Sequence, residues 1–379
     1  MELSDCRKRI DELDDQIAHC FQERMRISEE VGRIKREQNL PTFVPQRERE
    51  VLARVSKAVA PELGGYVRML YAALLDASRA HQQNTNAVEG ALSKAIQAAR
   101  MLTPSTFPEI ATVAVQGEEG ANAQTAAEHF FQVPEITFVR SFAGVAQAVE
   151  KGLCKYGVLP VENSNFGTVG QVYDLMLEHK FYIAQSIKMQ IGHSLLTRPG
   201  VAMEDLKEVY SHPQALGQCE QFFREHPNIK AMPAENTAVA AAMVAKAGRN
   251  DIGALAARNC ARIYNLAILA DNVQKGANNY TRFICISKNL QIYPGASRIS
   301  LVLALPHRPG ALYQILSKFA ALGLNLLKLE SRPAPGSDFE FRFYFDLAAQ
   351  ECTPTVLRLL DGLAAELDTF NFLGWYSEN

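Results

Sequence analysis

The feature that most constrains this chain is a helical stripe of apolar residues near its N-terminus. The stripe advances in steps of three and four through Leu3, Cys6, Ile10, Leu13, Ile17 and Cys20, and it continues through Met25, Ile27, Val31 and Ile34. Such spacing is typical of a coiled-coil type of helix face and predicts one helix to about Lys35. Because short neighbouring helices of the same chain cannot cover so long a stripe, we expect a helical dimer.

Two more helices follow this stripe. Pro41 and Pro45 end the first helix, and a second begins near Pro45, since proline is tolerated in a first helical turn. A third helix is predicted from about Pro61 to Gln83, and no strand pattern interrupts the three. We therefore expect residues 1–83 to form an all-helical domain. Residues 84–107, rich in Ala, Ser and Thr, are expected to be a linker that is helical in part.

The rhythm of the sequence changes at about Ile110, where strand, polar turn and helix patterns alternate. "ATVAV" precedes "GEEGANAQTAAEHFF", and "YGVLPV" precedes "ENSNFGTVGQVYDLM". This alternation is typical of an α/β domain, here residues 108–288. After Ser297 the predicted order is βαββαβ, which is the ferredoxin-like α+β arrangement, over residues 297–379.

Composition excludes several classes of protein. A formal net charge of −2 argues against a nucleic-acid binder, and neither a signal peptide nor a membrane-spanning run is present. The seven cysteines form no CxxC pair and no cluster with zinc spacing, so we expect reduced thiols, no metal site and a cytoplasmic location. The loop "FGTVG" lacks the spacing of a dinucleotide-binding motif, and no cofactor is expected.

Charged side chains on the first helix suggest a site shared between two chains. Arg24 and Lys35 lie within roughly 20° of each other on one helix face. Arg7 lies about 100° from Arg24 and some 25 Å along the axis, so one chain cannot bring all three to a small ligand. Antiparallel long helices in a dimer could do so. For a random helix, a solvated charged face is the simpler interpretation.

The helical segment resembles the all-helical chorismate mutases at the N-terminus of bifunctional P-proteins. The resemblance covers about residues 1–83 and rests on "CRKRIDELDDQI", "QREREVL" and "LLDASRAHQQ". It implies rearrangement of chorismate to prephenate by holding the folded dicarboxylate and stabilising the charge that develops as the ether bond breaks. The implied site residues are Arg7 of the partner subunit, Arg24 and Ser78 at the carboxylates, Arg47 nearby, Lys35 and Gln82 at the ether oxygen, and Glu48 at the ring hydroxyl. Val44 stands where the bacterial pattern often has aspartate.

Four clusters of polar residues lie in the α/β segment at the predicted ends of strands or starts of helices. They are Glu162-Asn163-Ser164, Ser211-His212-Pro213-Gln214, Asn236-Thr237 and Asn279-Tyr280-Thr281-Arg282. In open α/β sheets, ligands bind at the carboxyl ends of strands, where helix N-termini offer N–H groups to anions. Ser164 or Thr237 alone is more simply a helix cap. Four clusters in one domain, however, predict a cleft for a small polar anion.

Three stretches of this segment, "NNYTRF", "VENSNFGTVGQVYDLM" and "SHPQALGQC", resemble the prephenate dehydratase domain over about residues 110–288. The resemblance implies two α/β lobes around a cleft, like a periplasmic binding protein, and conversion of prephenate to phenylpyruvate. Thr281 would hydrogen-bond the departing hydroxyl, Arg282 would anchor a carboxylate or stiffen the site, and Glu162 is a candidate acid. Asn163 and Ser164 complete the implied catalytic set, and the implied substrate contacts are Asn122, Ser211, His212, Gln214, Thr237 and Asn279.

The first loop of this domain departs from the commonest form of the family. Ala121, Asn122 and Ala123 stand where many relatives carry hydroxyl-bearing residues. Asn122 would replace one of the hydrogen bonds that those hydroxyls make.

The last segment resembles the ACT regulatory domain of P-proteins. The match covers residues 297–379 and rests on "PGALYQIL" and "LNLLKLESRP". It implies that L-phenylalanine binds as an allosteric inhibitor where this loop and strand meet across a dimer interface. Gly310 would let the backbone approach the amino acid closely. The implied binding residues are Gly310, Ala311, Leu312, Glu330, Ser331 and Arg332.

Together the three resemblances predict a bifunctional chorismate mutase–prephenate dehydratase that is at least a homodimer. Two alternatives remain open. The same scaffold could act on arogenate, since the sequence does not show whether the cleft accepts a keto or an amino side chain. A non-catalytic amino-acid-binding regulator is the other, although Arg24, Lys35, Gln82 and Thr281 argue against it. The missing dinucleotide loop disfavours a mutase–dehydrogenase.

Overall fold

The computed structural model describes residues 2–38, 40, 44–84, 89–274, 279–333 and 341–379, apart from the side chains of residues 36 and 80–84. Three helices open the chain: α1 (Leu3–Glu37), α2 (Pro45–Lys57) and α3 (Gly64–Asn84), with a 3-10 turn at Pro61–Leu63. Pro45 occupies the first turn of α2, as the sequence predicts. Helices α1 and α2 both pack on α3, but the apolar stripe of α1 remains largely exposed.

The first and last parts of the α/β segment together form a first sheet. Its strands and covering helices are β1 (Ile110–Gln116), α5 (Asn122–Phe130), β2 (Val133–Val139), α6 (Phe142–Glu150), β3 (Tyr156–Asn163), β4 (Gly167–Thr168), α7 (Gly170–Glu178), β5 (Tyr182–Gln190) and β11 (Tyr280–Ser287). Strand β1 is parallel to β2 and β3, whereas β11 runs antiparallel between β3 and β5. The chain leaves this lobe after β5 and returns in β11, so two crossings connect it to a second lobe.

The second lobe is a smaller sheet with the strand order β10-β6-β9-β7-β8. Its elements are β6 (Ser194–Thr197), β7 (Glu208–Ser211), α8 (Pro213–Gln218), α9 (Glu220–Glu225), β8 (Lys230–Pro233), α10 (Thr237–Lys246), β9 (Ile252–Ala256), α11 (Asn259–Ile263) and β10 (Ala267–Ala270). Asn236 caps α10 by accepting a hydrogen bond from the backbone of Val239. The fold therefore has the two lobes that the resemblance implied.

The C-terminal domain has the βαββαβ order that the sequence predicts. Its elements are β12 (Arg298–Ala304), α12 (Ala311–Ala321), β13 (Asn325–Pro333), β14 (Phe341–Ala348), α13 (Pro354–Glu366) and β15 (Phe370–Glu378), with the sheet order β13-β14-β12-β15. Strand β15 pairs in parallel with β5, which joins this sheet to the first lobe in one ten-stranded sheet. Gly374 permits the close approach, because a Cβ there would overlap the backbone of Ile183.

The segment expected to be a linker contains a helix that belongs to the C-terminal core. Helix α4 (Ala91–Leu102) packs against α13, and its Ile96 is fully buried among residues of that domain. Asp361 of α13 accepts hydrogen bonds from the backbone N–H groups of Gly90 (3.0 Å) and Ser93 (3.1 Å), so a tertiary contact caps α4. Among the described residues, none of the helices is both long and apolar enough to cross a membrane.

Candidate functional sites

The helical segment brings Arg24 and Ser78 together between α1 and α3. The Arg24 guanidinium donates to the Ser78 hydroxyl and, at 3.1 Å, to the carbonyl of Leu74. Ser78 is buried, and its hydroxyl donates to the same Leu74 carbonyl at 2.7 Å. These contacts hold a cation in a fixed place at the α1–α3 junction.

Glu48 has a partner that sequence reasoning missed. Its carboxylate pairs with Arg79 of α3, which also pairs with Asp76. Burial raises the pKa of Asp76 from its usual value. The three-residue spacing of Asp76 and Arg79 in one helix could have indicated their own pair, but not the contact of Arg79 with Glu48. In this arrangement the Glu48 carboxylate sits in a half-buried charge cluster rather than alone.

The remaining mutase residues include two exposed arginines and one half-buried lysine. Arg7 is exposed on α1, about 25 Å along the helix from Arg24. Arg47 is also exposed and lies 3.5 Å from Glu50, and Lys35 is half-buried near the end of α1. The side chain of Gln82 lies outside the described residues. A single chain therefore brings together Arg24 and Ser78 but not Arg7.

Thr281 stands at the start of β11, opposite Asn163 at the end of β3. The Asn163 side-chain amide donates to the Thr281 hydroxyl oxygen and to the Asn279 side-chain carbonyl, both at 2.9 Å. Since the Thr281 oxygen accepts this hydrogen bond, its own O–H can donate to another group. The contact therefore orients Thr281 as a hydrogen-bond donor.

An amide network extends from Asn279 into the second lobe. Gln218 exchanges hydrogen bonds with Asn279, at 3.3 and 3.1 Å, and its carbonyl oxygen lies 2.7 Å from Nε2 of His193. Burial lowers the pKa of His193, which favours a neutral ring that donates to Gln218. Sequence reasoning missed both residues. Gln218 lies one turn of α8 beyond the predicted Gln214, and this spacing could have indicated it.

Ser164 of the predicted catalytic set and His212 of the predicted substrate contacts both bind backbone groups. Ser164 accepts a hydrogen bond from the backbone N–H of Tyr280 at 2.9 Å, next to Thr281. His212 caps α8 by accepting from the backbone N–H of Gln214 at 3.2 Å, and the Gln214 side chain is exposed. Thr237 is the first residue of α10.

The structure contradicts the prediction that the Ser211 hydroxyl contacts substrate. Ser211 is completely buried, and its hydroxyl donates to the carbonyl of Leu255 at 2.6 Å. That hydrogen bond joins β7 to β9 within the second lobe, so Ser211 stabilises the scaffold.

Arg282 points away from Thr281 and into the C-terminal domain. Its guanidinium donates to Asp346 (2.5 Å) and to the Tyr376 hydroxyl (2.7 Å), and its Nε lies 2.7 Å from Glu378. Only 8% of the side chain is exposed. Of the two roles expected for Arg282, anchoring a substrate carboxylate is contradicted, because acidic partners already surround the guanidinium. The role of stiffening the site fits these contacts.

A β-bulge places Glu162 on the same side as Arg282. The β3–β11 register shifts between Arg282 and Phe283, so Glu162 lies opposite Arg282 while Asn163 lies opposite Thr281. Residues directly opposite each other share a face, and successive residues alternate. The Glu162 carboxylate lies 3.3 Å from Nζ of Lys328 in the C-terminal domain. The structure thus separates Glu162, the candidate acid, from the Thr281 hydroxyl.

A cavity of about 600 Å³ lies between the two lobes. It is lined by Asn122 and Thr125 of the first lobe, by Met189 and Gln190 of β5, and by residues that include Arg258, Asn259 and Asp271 of the second lobe. The lobes touch at its edge, where the Asn259 amide donates to Thr125 at 3.2 Å. The structure places Asn122 in this cavity, whose lining does not include Thr281 or Asn163.

The predicted phenylalanine-binding residues divide between two environments. Gly310 precedes α12 with φ of +86°, a conformation that favours glycine, and Ala311 is buried in the domain core. Leu312 packs partly against the same core. Ser331 is exposed, whereas Glu330 accepts from the hydroxyl of Thr168 at 3.0 Å and Arg332 donates to Asp174 at 3.1 Å. Glu330 and Arg332 therefore contact the first lobe.

Comparisons with known proteins identify two families in the chain. Residues 6–83 match the family Chorismate mutase type II, and residues 113–291 match the family Prephenate dehydratase. A bifunctional chorismate mutase/prephenate dehydratase from Aquifex aeolicus (strain VF5) is 30% identical over 99% of this chain and 98% of its own. An arogenate dehydratase/prephenate dehydratase 1, chloroplastic, from Arabidopsis thaliana is 37% identical over 70% of this chain and 71% of its own.

A solved structure of a prephenate dehydratase matches much of the chain. The crystal structure of prephenate dehydratase from Arthrobacter aurescens in complex with L-Phe has 29% sequence identity and a TM-score of 0.63. The alignment covers 70% of this chain and 90% of the other.

Proposed function

We propose, from the premise that this chain belongs to the family of bifunctional chorismate mutases/prephenate dehydratases, that it carries out both reactions of that family. The helical segment converts chorismate to prephenate, and the α/β segment converts prephenate to phenylpyruvate. The observation that carries the second assignment is the Asn163–Thr281 hydrogen bond, which leaves the Thr281 proton free to donate at a strand end.

For the mutase, the rearrangement needs no nucleophile and no proton relay. The protein must hold a dicarboxylate in a folded conformation and stabilise charge on the breaking ether bond. Arg24, positioned by Ser78 and Leu74, supplies one fixed cation. Arg7 of the partner subunit supplies another across a dimer interface. The exposure of Leu3 (69%) and Ile17 (61%) on α1 supports such a dimer, because these residues form one apolar stripe without cover.

For the dehydratase, prephenate loses carbon dioxide and its ring hydroxyl in one aromatising step. The electron pair of the breaking carbon–carbon bond enters the ring, and the carbon–oxygen bond breaks on the other side. The departing hydroxide takes up a proton from solvent and becomes water. Thr281 donates a hydrogen bond to the departing oxygen, which stabilises its developing negative charge. Because a threonine hydroxyl is a very weak acid, Thr281 assists departure without surrendering its own proton.

The C-terminal domain acts as an ACT-type regulatory domain that binds L-phenylalanine and lowers dehydratase activity. The related dehydratase from Arthrobacter aurescens was solved in complex with L-Phe, and Gly310 opens α12 with a conformation suited to close backbone approach. Inhibition requires that phenylalanine bind one of two arrangements of the protein more tightly than the other.

Arogenate remains a second candidate substrate for the α/β segment. The relative from Arabidopsis thaliana carries both activities in its name. Prephenate and arogenate differ only in a keto or an amino side chain, so the choice depends on contacts to that one group.

The test is incubation of the whole protein with chorismate, followed by separate quantitation of prephenate and phenylpyruvate. Both should appear, prephenate first. Accumulation of prephenate alone would refute the dehydratase assignment. Chorismate that is not consumed would refute the mutase assignment, and the dehydratase is then tested on added prephenate. Separate incubations with arogenate and with prephenate give kcat/KM for each, and the comparison decides between the two dehydratase substrates.

A further inference from the structure

Strand β13 of the regulatory domain directs a row of charged side chains at the first lobe. Lys328, Glu330 and Arg332 alternate along the strand and therefore share one face. Their partners lie in β3, β4 and α7: Glu162, Thr168 and Asp174. Three successive contacts of this kind tie a strand that carries the predicted phenylalanine motif to the end of a strand that carries the dehydratase site.

Lys328 is more enclosed than Arg332, with 11% of its side chain exposed against 29%. Its ammonium group lies 3.3 Å from the Glu162 carboxylate, donates to the Thr168 hydroxyl at 3.1 Å, and sits 5.2 Å from the centre of the Tyr173 ring. An ammonium group has three donors and no acceptor, so an anion, a hydroxyl and an aromatic face are suitable partners. These contacts fix its position.

The two polar partners of Lys328 belong to opposite strands of one hairpin. Glu162 in β3 pairs with Thr168 in β4, and Asn163 pairs with Gly167. The Asn163 side-chain carbonyl accepts from the backbone N–H groups of Asn165 and Phe166, at 3.0 and 3.2 Å, in the connecting turn. Fixing both strands at Glu162 and Thr168 therefore also fixes Asn163, whose amide orients Thr281.

We propose that Lys328 is a positioning residue of the dehydratase: it clamps the β3–β4 hairpin and thereby holds Asn163 against the Thr281 hydroxyl. The inference rests on the proposed dehydratase function, and it assigns to the regulatory domain a direct part in building that site. The Thr168 hydroxyl also donates to Glu330, so a shift of β13 would act on the same hairpin.

The decisive variant is Lys328→Met, which keeps an unbranched apolar stem and removes the charge. Dehydratase kcat should fall by about tenfold or more with a smaller change in KM, because misplacement of an orienting group is felt most in the transition state. Mutase activity in the same protein should be unchanged. Lys328→Arg, which keeps a cation, should recover part of the loss.

Lys318→Met is the matched control. It removes another lysine of the same domain, which pairs with Glu366 at 2.5 Å and is also largely buried. Its pair joins α12 to α13 and does not contact the hairpin, so dehydratase kcat should stay at the parent value. A similar loss in both variants would show a general weakening of the domain and would overturn the proposal.

Two further measurements separate positioning from other roles. In an Asn163→Ala background, Lys328→Met should cost little more, since the group that it positions is already absent. An equal fold loss in both backgrounds would overturn the proposal, as would full turnover in Lys328→Met alone. Hydrogen exchange at the amides of Asn165 and Phe166 needs no substrate and should accelerate in Lys328→Met. If exchange in Lys328→Met matches the parent, the clamp is rejected, whatever the substrate of the protein is. If exchange accelerates but the parent protein does not convert prephenate, only the proposed function is rejected.

Discussion

The N-terminal helices and the junction between the first lobe and the C-terminal domain differ in which side chains they bury. On α1, the apolar side chains of Leu3, Ile10 and Ile17 remain 55–69% exposed. At the junction, by contrast, even charged groups such as Arg282 and Asp346 are buried within the chain. Within one chain, the helical part leaves an apolar face uncovered, whereas the dehydratase and C-terminal parts cover each other.

The junction is held by balanced charge as well as by apolar packing. Arg282 and Arg298 face Asp346 and Glu378, and the hydroxyls of Ser300 and Tyr376 join the cluster. Two cations and two anions cancel, and each has several partners. Such a cluster contributes less net stability than apolar packing of the same volume, but removing one of its members leaves an uncompensated buried charge.

The largest effect is expected from breaking this cluster. Arg282→Met should destabilise the dehydratase and C-terminal parts by about 3–5 kcal/mol, because it leaves the buried Asp346 and the half-buried Glu378 with one cation. Chemical denaturation followed by tryptophan fluorescence measures the change, since the single Trp375 lies in the C-terminal core. Arg249→Met, which breaks an exposed pair with Asp251, is the control and should have no measurable effect. Equal losses of unfolding free energy in the two variants would contradict a stabilising role of the buried cluster.

The next effect concerns the site that the junction supports. Thr281→Ala should lower dehydratase turnover by about a hundredfold or more, since one hydrogen bond to the departing oxygen is lost. Mutase activity should persist, because its residues lie in a separate helical domain. Thr281→Ser keeps the hydroxyl and should retain most of the turnover. A fully active Thr281→Ala variant would remove Thr281 from the mechanism.

The third prediction tests whether the mutase site is shared between chains. Arg7→Ala and Arg24→Ala should each be inactive as mutases. An equal mixture that has exchanged subunits should recover about a quarter of the parent activity, because half of the dimers are mixed and each has one intact site. Dehydratase activity should not change on mixing. No recovery despite demonstrated subunit exchange would show that one chain builds the whole mutase site.

A smaller effect is expected at the helix that connects the two regions. Asp361→Ala removes the cap of α4 and should cost about 1 kcal/mol of stability. Faster hydrogen exchange in the first turn of α4 provides the local measurement. Slow exchange that matches the parent would show that packing of Ile96 alone holds the helix.

The smallest effect is a pH dependence at His193. Burial lowers the pKa of His193 below its usual 6.5. The stability that the neutral ring contributes is therefore complete above pH 6.5 and is lost as the pH falls from 6.5 toward the lowered value, since only the unfolded chain then binds the proton. His193→Gln, which keeps a donor for Gln218, should reduce this slope by at most about 1.4 kcal/mol per pH unit. Identical slopes for parent and variant would contradict a buried neutral ring.

Most of the domain organisation was predictable from the sequence, because it depends on local periodicity. The stripe on α1, the alternation after Ile110 and the βαββαβ order each follow from the spacing of apolar residues, and the structure has all three. The part that periodicity could not predict is the attachment of α4 to the C-terminal domain. The contact that anchors it joins Ser93 to Asp361, residues far apart in the chain.

The composition of the candidate site was predictable only in part, for a similar reason. Motifs placed Thr281, Asn163 and Asn279 together, and the structure brings them within hydrogen-bonding distance. They did not indicate Gln218, which contacts Asn279 from the other lobe, or His193, which contacts Gln218.

By itself, the sequence determined the elements of this protein, because 3.6-residue and two-residue periods are local properties of the chain. Only the tertiary structure decided the direction of Arg282 and Glu162. A bulge in β3 turns Glu162 to the face of Arg282, and the C-terminal domain supplies the charges that both side chains meet there. One residue of register reverses the face of every side chain that follows, and long-range pairing sets that register.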